Sequence, residues 1–485
     1  MLRTFGRIGL VAGLCGFLLY RLAPDVRGKA LYEDEAIAGL IAMRPLPEVL
    51  DTVLVDRGGA PIHFVLAHMV FWFDTSAEAL RWLSVLFALG TIPLCFELGR
   101  RLSGPAAGVV AAAVAASSTA LAVYGSFGRM YALLAFVAAL FAVLYVRALE
   151  MRTTGAVAAA AAAGWLLAAT HPYGAIPAFV ALVAAAVIWR GRPLRAAWPV
   201  AIAVLAALPL LVADVQLADR AAVGAGGDRS LASPRDAWAE LVAALSAFAG
   251  GDGLPFVFLT ALALVGLAAL VRRSPGVAAV ALSTAIPPLL FVLVRTDATP
   301  DLSPRHLFYG LPLWAAAIGV GAARLAEPLG RGLGALALAA VALVALLAPP
   351  SSLRDPRELG FGTTIVGADT GVRAGTNDVL VPYSTVFLAS LRDVDGALAL
   401  PHAPGDEIVR ALEHAGEPIE AVYVAIPTEP WTVRRLAGPF DKPGAITAAA
   451  TALADAEHTQ RLRTWFAWIE PGLCEALREL NRPCP

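Results

Sequence analysis

The sequence predicts an α-helical polytopic membrane protein followed by a small C-terminal α/β domain. Of its 485 residues, 58% are hydrophobic and only 15% are charged, and the mean hydropathy is +0.70. Soluble domains carry about 25% charged residues, so this chain must place most of its surface against lipid. The second observation is a series of long apolar stretches in the first 350 residues. A net charge of −1 gives no electrostatic case for a nucleic-acid partner.

Eleven of these stretches approach the roughly 20 residues that a membrane-spanning helix needs. They are residues 5–22, 80–99, 104–123, 130–148, 155–170, 173–189, 195–213, 255–271, 276–294, 306–325 and 331–349. A shorter apolar run, residues 60–73, is interpreted as an interfacial or re-entrant helix that does not cross.

Arginine clusters orient these segments, because cytoplasmic loops carry an excess of basic residues. Arg3 and Arg7 place the N-terminus in the cytoplasm, and eleven crossings then put every later cluster inside and the C-terminus outside. The outer face receives the long loops 23–79 and 214–254, and the second of these contains a predicted amphipathic helix, 235–249, lying on the membrane surface. The alanine-rich composition suggests a bacterial chain, hence a multi-pass protein of the cytoplasmic (inner) membrane.

The C-terminal domain, residues 351–485, mixes polar and apolar residues and lies outside the membrane in this topology. Short buried strands are predicted at Asp378–Val381 and Ala421–Ile426, and helices at Asp406–His414 and Leu473–Leu480. Cys474 and Cys484 would form a disulfide in an oxidising compartment or remain free thiols; the sequence leaves both open.

Three consecutive acids, Glu33, Asp34 and Glu35, begin an apolar segment in outer loop 23–79. Ionisable groups at the membrane are costly and therefore candidates for function, and a carboxylate here is suited to act as a general base. The alternative is that the acids only start a helix, where negative charge complements the helix dipole. Spacing alone favours the alternative.

Cations and rings also gather on the outer face. Lys29, Arg57, Arg129 and Arg305 are suited to bind a phosphate, although arginines at helix ends also anchor helices by snorkelling. Tyr131, His171 and His306 each begin a helix there, a position where such residues usually form an interfacial belt. No Cys/His spacing indicates a metal site.

Several of these segments resemble, in order, those of the protein O-mannosyltransferases and of the aminoarabinose transferase that modifies lipid A. Both are GT-C fold enzymes that use polyprenyl-phosphate sugars. The segments are Asp34-Glu35-Ala36, Ala60-Pro61-Ile62-His63-Phe64, Leu80-Arg81-Trp82-Leu83-Ser84, Leu98-Gly99-Arg100-Arg101-Leu102, Gly128-Arg129-Met130-Tyr131-Ala132-Leu133, Thr170-His171-Pro172-Tyr173 and Pro304-Arg305-His306. The resemblance covers about residues 5–325. It departs at Gly58-Gly59, where the relatives often have a histidine, and at Phe127, where they have an acid.

This resemblance implies a glycosyltransferase in which Asp34 deprotonates an acceptor hydroxyl and Glu35 positions the acceptor or tunes Asp34. Donor-phosphate binding falls to the four cations, Lys29, Arg57, Arg129 and Arg305. The pocket would be lined by Tyr131, His171, His306 and His63. The reaction would be a single inverting displacement, with no metal or cofactor expected.

The expected partners are a polyprenyl-phosphate sugar, an acceptor that is a glycan, lipid or protein, and membrane lipids. The main alternative is a polytopic transporter or lipid-linked substrate flippase, which would place broken helices and charges near the midplane, often in inverted repeats. A scaffold with a folded outer domain is the third interpretation, and it has no use for the acidic triplet.

Overall fold

A computed structural model describes residues 2–28, 33–56, 60–74, 76–188, 197–221, 234–293, 304–353, 355, 378–381, 397–398, 418–426 and 432–454. Within the first 350 residues, the described part of the chain is almost entirely helical. The α-helices are α1 Leu2–Gly28, α2 Glu33–Ala42, α3 Leu46–Asp51, α4 Ile62–Phe71, α5 Ala77–Ser103, α6 Pro105–Ser117, α7 Thr119–Tyr124, α8 Tyr131–Met151, α9 Thr154–Thr170, α10 Ala175–Ile188, α11 Ala197–Ala221, α12 Pro234–Phe248, α13 Leu254–Arg273, α14 Pro275–Leu282, α15 Ile286–Leu293, α16 Leu311–Ala326 and α17 Gly330–Leu347. A π-helix covers Thr52–Asp56, and 3-10 helices cover Pro172–Gly174, Ser283–Ala285, Pro304–Gly310 and Glu327–Leu329.

Every apolar stretch predicted to span the membrane falls on a helix or on two helices in succession. Among the described residues, six helical segments are long and apolar enough to cross a bilayer, and six further apolar helices are 10–17 residues long. The predicted class, a helical polytopic membrane protein, is confirmed. Two predicted spans are interrupted, one at Ser118 between α6 and α7 and one at Ser283–Ala285 between α14 and α15.

Small residues allow the helices to pack closely. Gly266 of α13 lies against the carbonyl oxygen of Ala317 in α16, and Gly321 of α16 lies against that of Leu262 in α13. A Cβ at either glycine would overlap that backbone oxygen, so the two helix axes approach as closely as small residues permit.

The two helices predicted on the outer face differ in their burial. The ten residues of α4 extend about 15 Å, about half the hydrocarbon thickness, and Trp72 and Phe73 after it are exposed, as expected of an interfacial helix. The location of α12 on the membrane surface stays a prediction, but its exposure changes along its length. Trp238 is exposed, whereas Ala247 and Phe248 are fully buried, because Phe248 packs on Phe308 of the 3-10 helix Pro304–Gly310, 6.1 Å between ring centroids.

The described part of the C-terminal domain contains a four-stranded sheet and one helix. The strands are β1 Asp378–Val381, β2 Ala397–Leu398, β3 Ile419–Ile426 and β4 Thr432–Phe440, and the helix is α18 Lys442–Ala454. The strand order is β2-β1-β3-β4, with β1 parallel to β2 and β3, and β3 antiparallel to β4. Both predicted strands are present, and the two predicted helices and both C-terminal cysteines lie outside the described residues.

Charged side chains mark two opposite ends of the helical bundle. At one end, Arg101 of α5 binds Glu97 and, at 2.8 Å, Glu150 near the end of α8. The starts of the same two helices, at Arg81 and Tyr131, meet at the other end. Of the residues predicted to share the outer face, that second end holds Asp34, Glu35, Arg129, Arg305, His171 and His306.

Candidate active site

The acidic triplet forms the first turn of α2, so it is a helix start and also a candidate site. Successive residues on a helix point about 100° apart, which sends the side chains of Asp34 and Glu35 into different surroundings. Glu35 is 0% exposed, whereas 26% of the Asp34 side chain is exposed. Of the two neighbouring carboxylates, therefore, only that of Asp34 is accessible from solvent.

Glu35 is held in a buried network with Arg81, near the start of α5. The Arg81 Nε and Nη2 atoms donate to the two carboxylate oxygens of Glu35, each at 2.8 Å, a bidentate arrangement. The backbone N–H of Gly128 donates to Glu35 Oε1 at 2.7 Å, and Arg81 Nη1 donates to the Val26 carbonyl of α1 at 3.1 Å. This network joins α1, α2, α5 and the turn that precedes α8.

Asp34 is paired with Arg305 across 271 residues of sequence. Arg305 Nη1 donates to Asp34 Oδ2 at 3.2 Å, and 26% of each side chain is exposed. The Arg305 guanidinium also lies over the ring of Tyr131, with its carbon 5.7 Å from the ring centroid. This ion pair is therefore open to solvent on one side and bordered by an aromatic ring on another.

Arg129 lies beside this pair and has no carboxylate partner within the described part of the chain. Its guanidinium stands over Phe64, 5.8 Å from the ring centroid, and acts electrostatically on the hydroxyl of Tyr131. Its Nε atom is buried without a hydrogen-bond partner among those residues. Arg129 also acts electrostatically on His63 and His171. A guanidinium held this way has donors left for an external anion.

Aromatic and histidine rings form one wall of the site. The Tyr173 ring stacks on His171 at 5.5 Å and on His306 at 5.3 Å, and Tyr131 lies 6.1 Å from His171 between ring centroids. His171 Nδ1 accepts from the backbone N–H of Tyr173 at 3.2 Å. Burial, together with Arg129 and Arg305, lowers the pKa of His171 to about 3, so its ring is neutral at physiological pH.

The structure brings together most of the residues predicted for the site. Asp34, Glu35, His63, Arg129, Tyr131, His171, Arg305 and His306 meet at one end of the bundle. Lys29 and Arg57 lie outside the described residues. Their assignment as donor-phosphate ligands remains a prediction.

Two residues of the site were not singled out from the sequence. Arg81 is the partner of Glu35, and Tyr173 joins the two histidines; both stand in segments that carry the family resemblance. A lone arginine inside an apolar segment was the available signal for Arg81, because such a charge needs a buried partner. Among the described residues no group of three or more His, Cys, Asp or Glu side chains is arranged to hold a metal ion.

The chain is similar to known proteins in its structure but not in its sequence. No protein-family profile and no curated protein matches the chain. The crystal structure of ArnT from Cupriavidus metallidurans in the apo state matches 85% of this chain and 88% of its own, with a TM-score of 0.54 and 14% identity. The same protein bound to undecaprenyl phosphate matches 84% of this chain and 88% of its own, with a TM-score of 0.53 and 14% identity.

The chain has the GT-C fold. The fold implied by the sequence resemblance is therefore confirmed. Within the GT-C fold of this chain, the site lies where the starts of α2, α5 and α8 meet the 3-10 helix Pro304–Gly310.

Proposed function

We propose that the protein is a membrane glycosyltransferase that transfers a sugar from a polyprenyl-phosphate donor to a hydroxyl of an extracytoplasmic acceptor, with inversion. One observation carries the proposal: a partly exposed carboxylate, Asp34, lies beside two arginines, Arg305 and Arg129, that can bind a phosphate. In this reaction the acceptor hydroxyl loses a proton and the leaving phosphate gains negative charge. A carboxylate can take that proton, and the neighbouring arginines can bind the phosphate.

In the proposed step, Asp34 takes the proton of the acceptor hydroxyl while the oxygen of that hydroxyl attacks the anomeric carbon of the sugar. The bond between that carbon and the phosphate oxygen breaks, and the phosphate leaves with the electron pair. Negative charge then grows on the phosphate, where Arg129 and Arg305 would stabilise it. Because both arginines are permanently charged, they provide this stabilisation without a metal or cofactor, and none is expected.

Asp34 rather than Glu35 is the proposed base because of what each carboxylate contacts. Glu35 already accepts two hydrogen bonds from Arg81 and one from Gly128, and it is fully buried. A substrate hydroxyl needs both access and a free acceptor position. Asp34 offers both, whereas the contacts of Glu35 fit the expected role of tuning Asp34 better than that of positioning the acceptor.

Arg305 links the base to the donor in this scheme. It now pairs with Asp34, and an arriving phosphate would compete for the same guanidinium. Binding of the donor would draw Arg305 away from Asp34 and leave that carboxylate free to accept a hydrogen bond from the acceptor hydroxyl. The site would thereby gain its proton acceptor when the donor is bound.

The GT-C fold supports a lipid-phosphate donor, since the similar ArnT was solved with undecaprenyl phosphate. We place the site and the C-terminal domain on the extracytoplasmic side of a bacterial inner membrane, in accord with the arginine distribution. An acceptor that is a glycan, a lipid or a protein is compatible with this location.

The test uses mass spectrometry to compare envelope glycans and lipids between strains. The strains are a deletion strain and the same strain complemented with wild-type protein, Asp34→Asn or Glu97→Gln. Glu97→Gln is the control because it removes a carboxylate at the opposite end of the bundle. We expect the modified species to disappear in the deletion strain and in Asp34→Asn, at equal protein levels, and to persist in the control. Near-normal transfer by Asp34→Asn would overturn the proposal. Uptake of a lipid-linked sugar into sealed vesicles that depends on Asp34, without transfer, would instead indicate a transporter or flippase.

A further inference from the structure

The 3-10 helix Pro304–Gly310, which carries Arg305, is bound to a break in a neighbouring membrane helix. The break, Ser283–Ala285, separates α14 from α15. The Tyr309 hydroxyl donates to the Ser283 carbonyl oxygen at 3.0 Å, and both residues are buried, with Tyr309 0% and Ser283 1% exposed. Because no water competes for a hydrogen bond buried in this way, it ties the two short segments together.

The contact at the break has two parts. A carbonyl oxygen has two lone pairs, and that of Ser283 accepts from the Ile286 N–H of its own 3-10 turn as well as from Tyr309. The next residue of each segment adds a close packing contact, since a Cβ at Gly310 would lie 2.6 Å from the Cγ2 and Oγ1 atoms of Thr284. The break therefore holds the end of the 3-10 helix by a directional hydrogen bond and by close packing.

The geometry of a 3-10 helix connects Tyr309 with Arg305. Such a helix has three residues per turn, so successive side chains point about 120° apart and those three positions apart share a side. Arg305 shares a side with Phe308, and Tyr309 points to another. The two sides have different partners, since Arg305 pairs with Asp34 at 3.2 Å while Tyr309 binds the break. A rotation of this helix about its axis would move Arg305 away from Asp34, and the directional Tyr309 bond opposes that rotation.

We propose that Tyr309 is a positioning residue: by binding the helix break, its hydroxyl holds the 3-10 helix in the rotation at which Arg305 reaches both Asp34 and the donor phosphate. The Asp34 contact is present in the structure, and the phosphate contact rests on the proposed function. In the proposed step Arg305 changes its partner from Asp34 to the phosphate. A fixed backbone confines that change to the Arg305 side chain, so Tyr309 acts on the reaction through Arg305 alone.

The experiment uses full-length protein in nanodiscs, with undecaprenyl phosphate as the probe, and compares Tyr309→Phe with the control Tyr145→Phe. Tyr145 is also a buried tyrosine whose hydroxyl donates to a helix carbonyl, that of Ala181 at 3.2 Å. It lies about 21 Å along α8 from Tyr131, far from the site. Affinity is measured by thermal stabilisation over a titration, in the wild-type and the Arg305→Gln backgrounds. Hydrogen exchange measured by mass spectrometry reports on the amides of residues 305–310.

We expect Tyr309→Phe to weaken undecaprenyl phosphate binding by about threefold to tenfold, the range that one neutral hydrogen bond supplies, while Tyr145→Phe binds like wild type. In the Arg305→Gln background Tyr309→Phe should have little further effect, because the two residues act as one unit. Exchange at residues 305–310 should be faster in Tyr309→Phe. Incorporation of 4-aminophenylalanine in place of Tyr309 should restore much of the affinity, since its amino group can donate to the Ser283 carbonyl.

An affinity of Tyr309→Phe equal to that of Tyr145→Phe, or an equal loss with and without Arg305, would refute the inference. Gly310→Ala replaces Tyr309→Phe should that variant not fold. Its Cβ presses on Thr284, so it should weaken binding, and Thr284→Ala in the same chain should relieve the loss; unchanged binding in Gly310→Ala would count against the inference. Wild-type protein that does not bind undecaprenyl phosphate would refute the proposed function, whereas the exchange measurement would still decide whether Tyr309 holds the 3-10 helix.

Discussion

Replacing Glu35 by Gln should destabilise the protein far more than the same replacement of a glutamate whose ion pair is exposed to solvent. Glu35 is fully buried, and the Arg81 side chain is 3% exposed, so neither can find solvent once the pair is broken. Removing one partner of a buried ion pair costs about 3–5 kcal/mol. Glutamine keeps an acceptor for the Gly128 N–H, so we expect about 3 kcal/mol, the lower end of that range.

Glu97→Gln is the matched control, because Glu97 pairs with Arg100 where 28% and 41% of the side chains are exposed. Exposed pairs of this kind contribute about 1 kcal/mol or less. The measurement is the free energy of unfolding in mixed detergent and dodecyl sulfate micelles, followed by tryptophan fluorescence.

A double-mutant cycle isolates the pair from the other effects of each substitution. Arg81→Gln alone leaves Glu35 buried without its bidentate donor, whereas the double variant Glu35→Gln, Arg81→Gln removes both charges. We therefore expect the double variant to lose less stability than the sum of the two single variants. A loss in Glu35→Gln no larger than in Glu97→Gln, or strict additivity in the cycle, would refute the assignment of a buried, mutually dependent pair.

Two more predictions concern the arginines and the pH dependence of stability. Arg129→Gln and Arg305→Gln should each weaken undecaprenyl phosphate binding by about tenfold or more, measured by thermal stabilisation over a titration, because each removes a charged hydrogen-bond donor worth about 1.5–3 kcal/mol. His171, whose pKa burial lowers to about 3, stays neutral in the folded state while the unfolded chain takes up a proton below about pH 6.5. Its contribution is complete above pH 6.5 and is lost as the pH falls towards 3. We therefore expect about 1–2 kcal/mol less stability at pH 5 than at pH 6.5, and a smaller decrease in His171→Gln.

The membrane helices could be predicted because length and apolarity alone determine them. The break at Ser118 could not, since the apolar stretch runs through it without a charge. Its cause is tertiary: the Ser118 hydroxyl caps the Leu121 N–H and also donates to the Ala247 carbonyl, 129 residues away. The burial of the end of α12 has the same origin, because a helix with one apolar face can cover a protein as well as a lipid surface.

The members of the site could be predicted better than their contacts. The predicted membrane topology puts Asp34 and Arg305 on the same face. Their direct pairing across 271 positions depends on the packing of the helices, which the topology does not give. Arg81 was not recognised as a site residue because an isolated arginine near a helix end is typical of snorkelling. Its partner Glu35 lies 46 positions earlier, and no local pattern connects them.

The adjacent acids show why the sequence alone could not divide their roles. Asp34 and Glu35 have the same chemistry and lie in the same helical turn, so spacing treats them alike. In the folded chain one is saturated by Arg81 and Gly128 while the other meets solvent and Arg305. A fully buried, saturated carboxylate is a structural anchor, whereas a partly exposed one is accessible to a substrate. In the proposed function, the same helix turn therefore supplies both the base, Asp34, and a buried carboxylate that anchors the turn, Glu35.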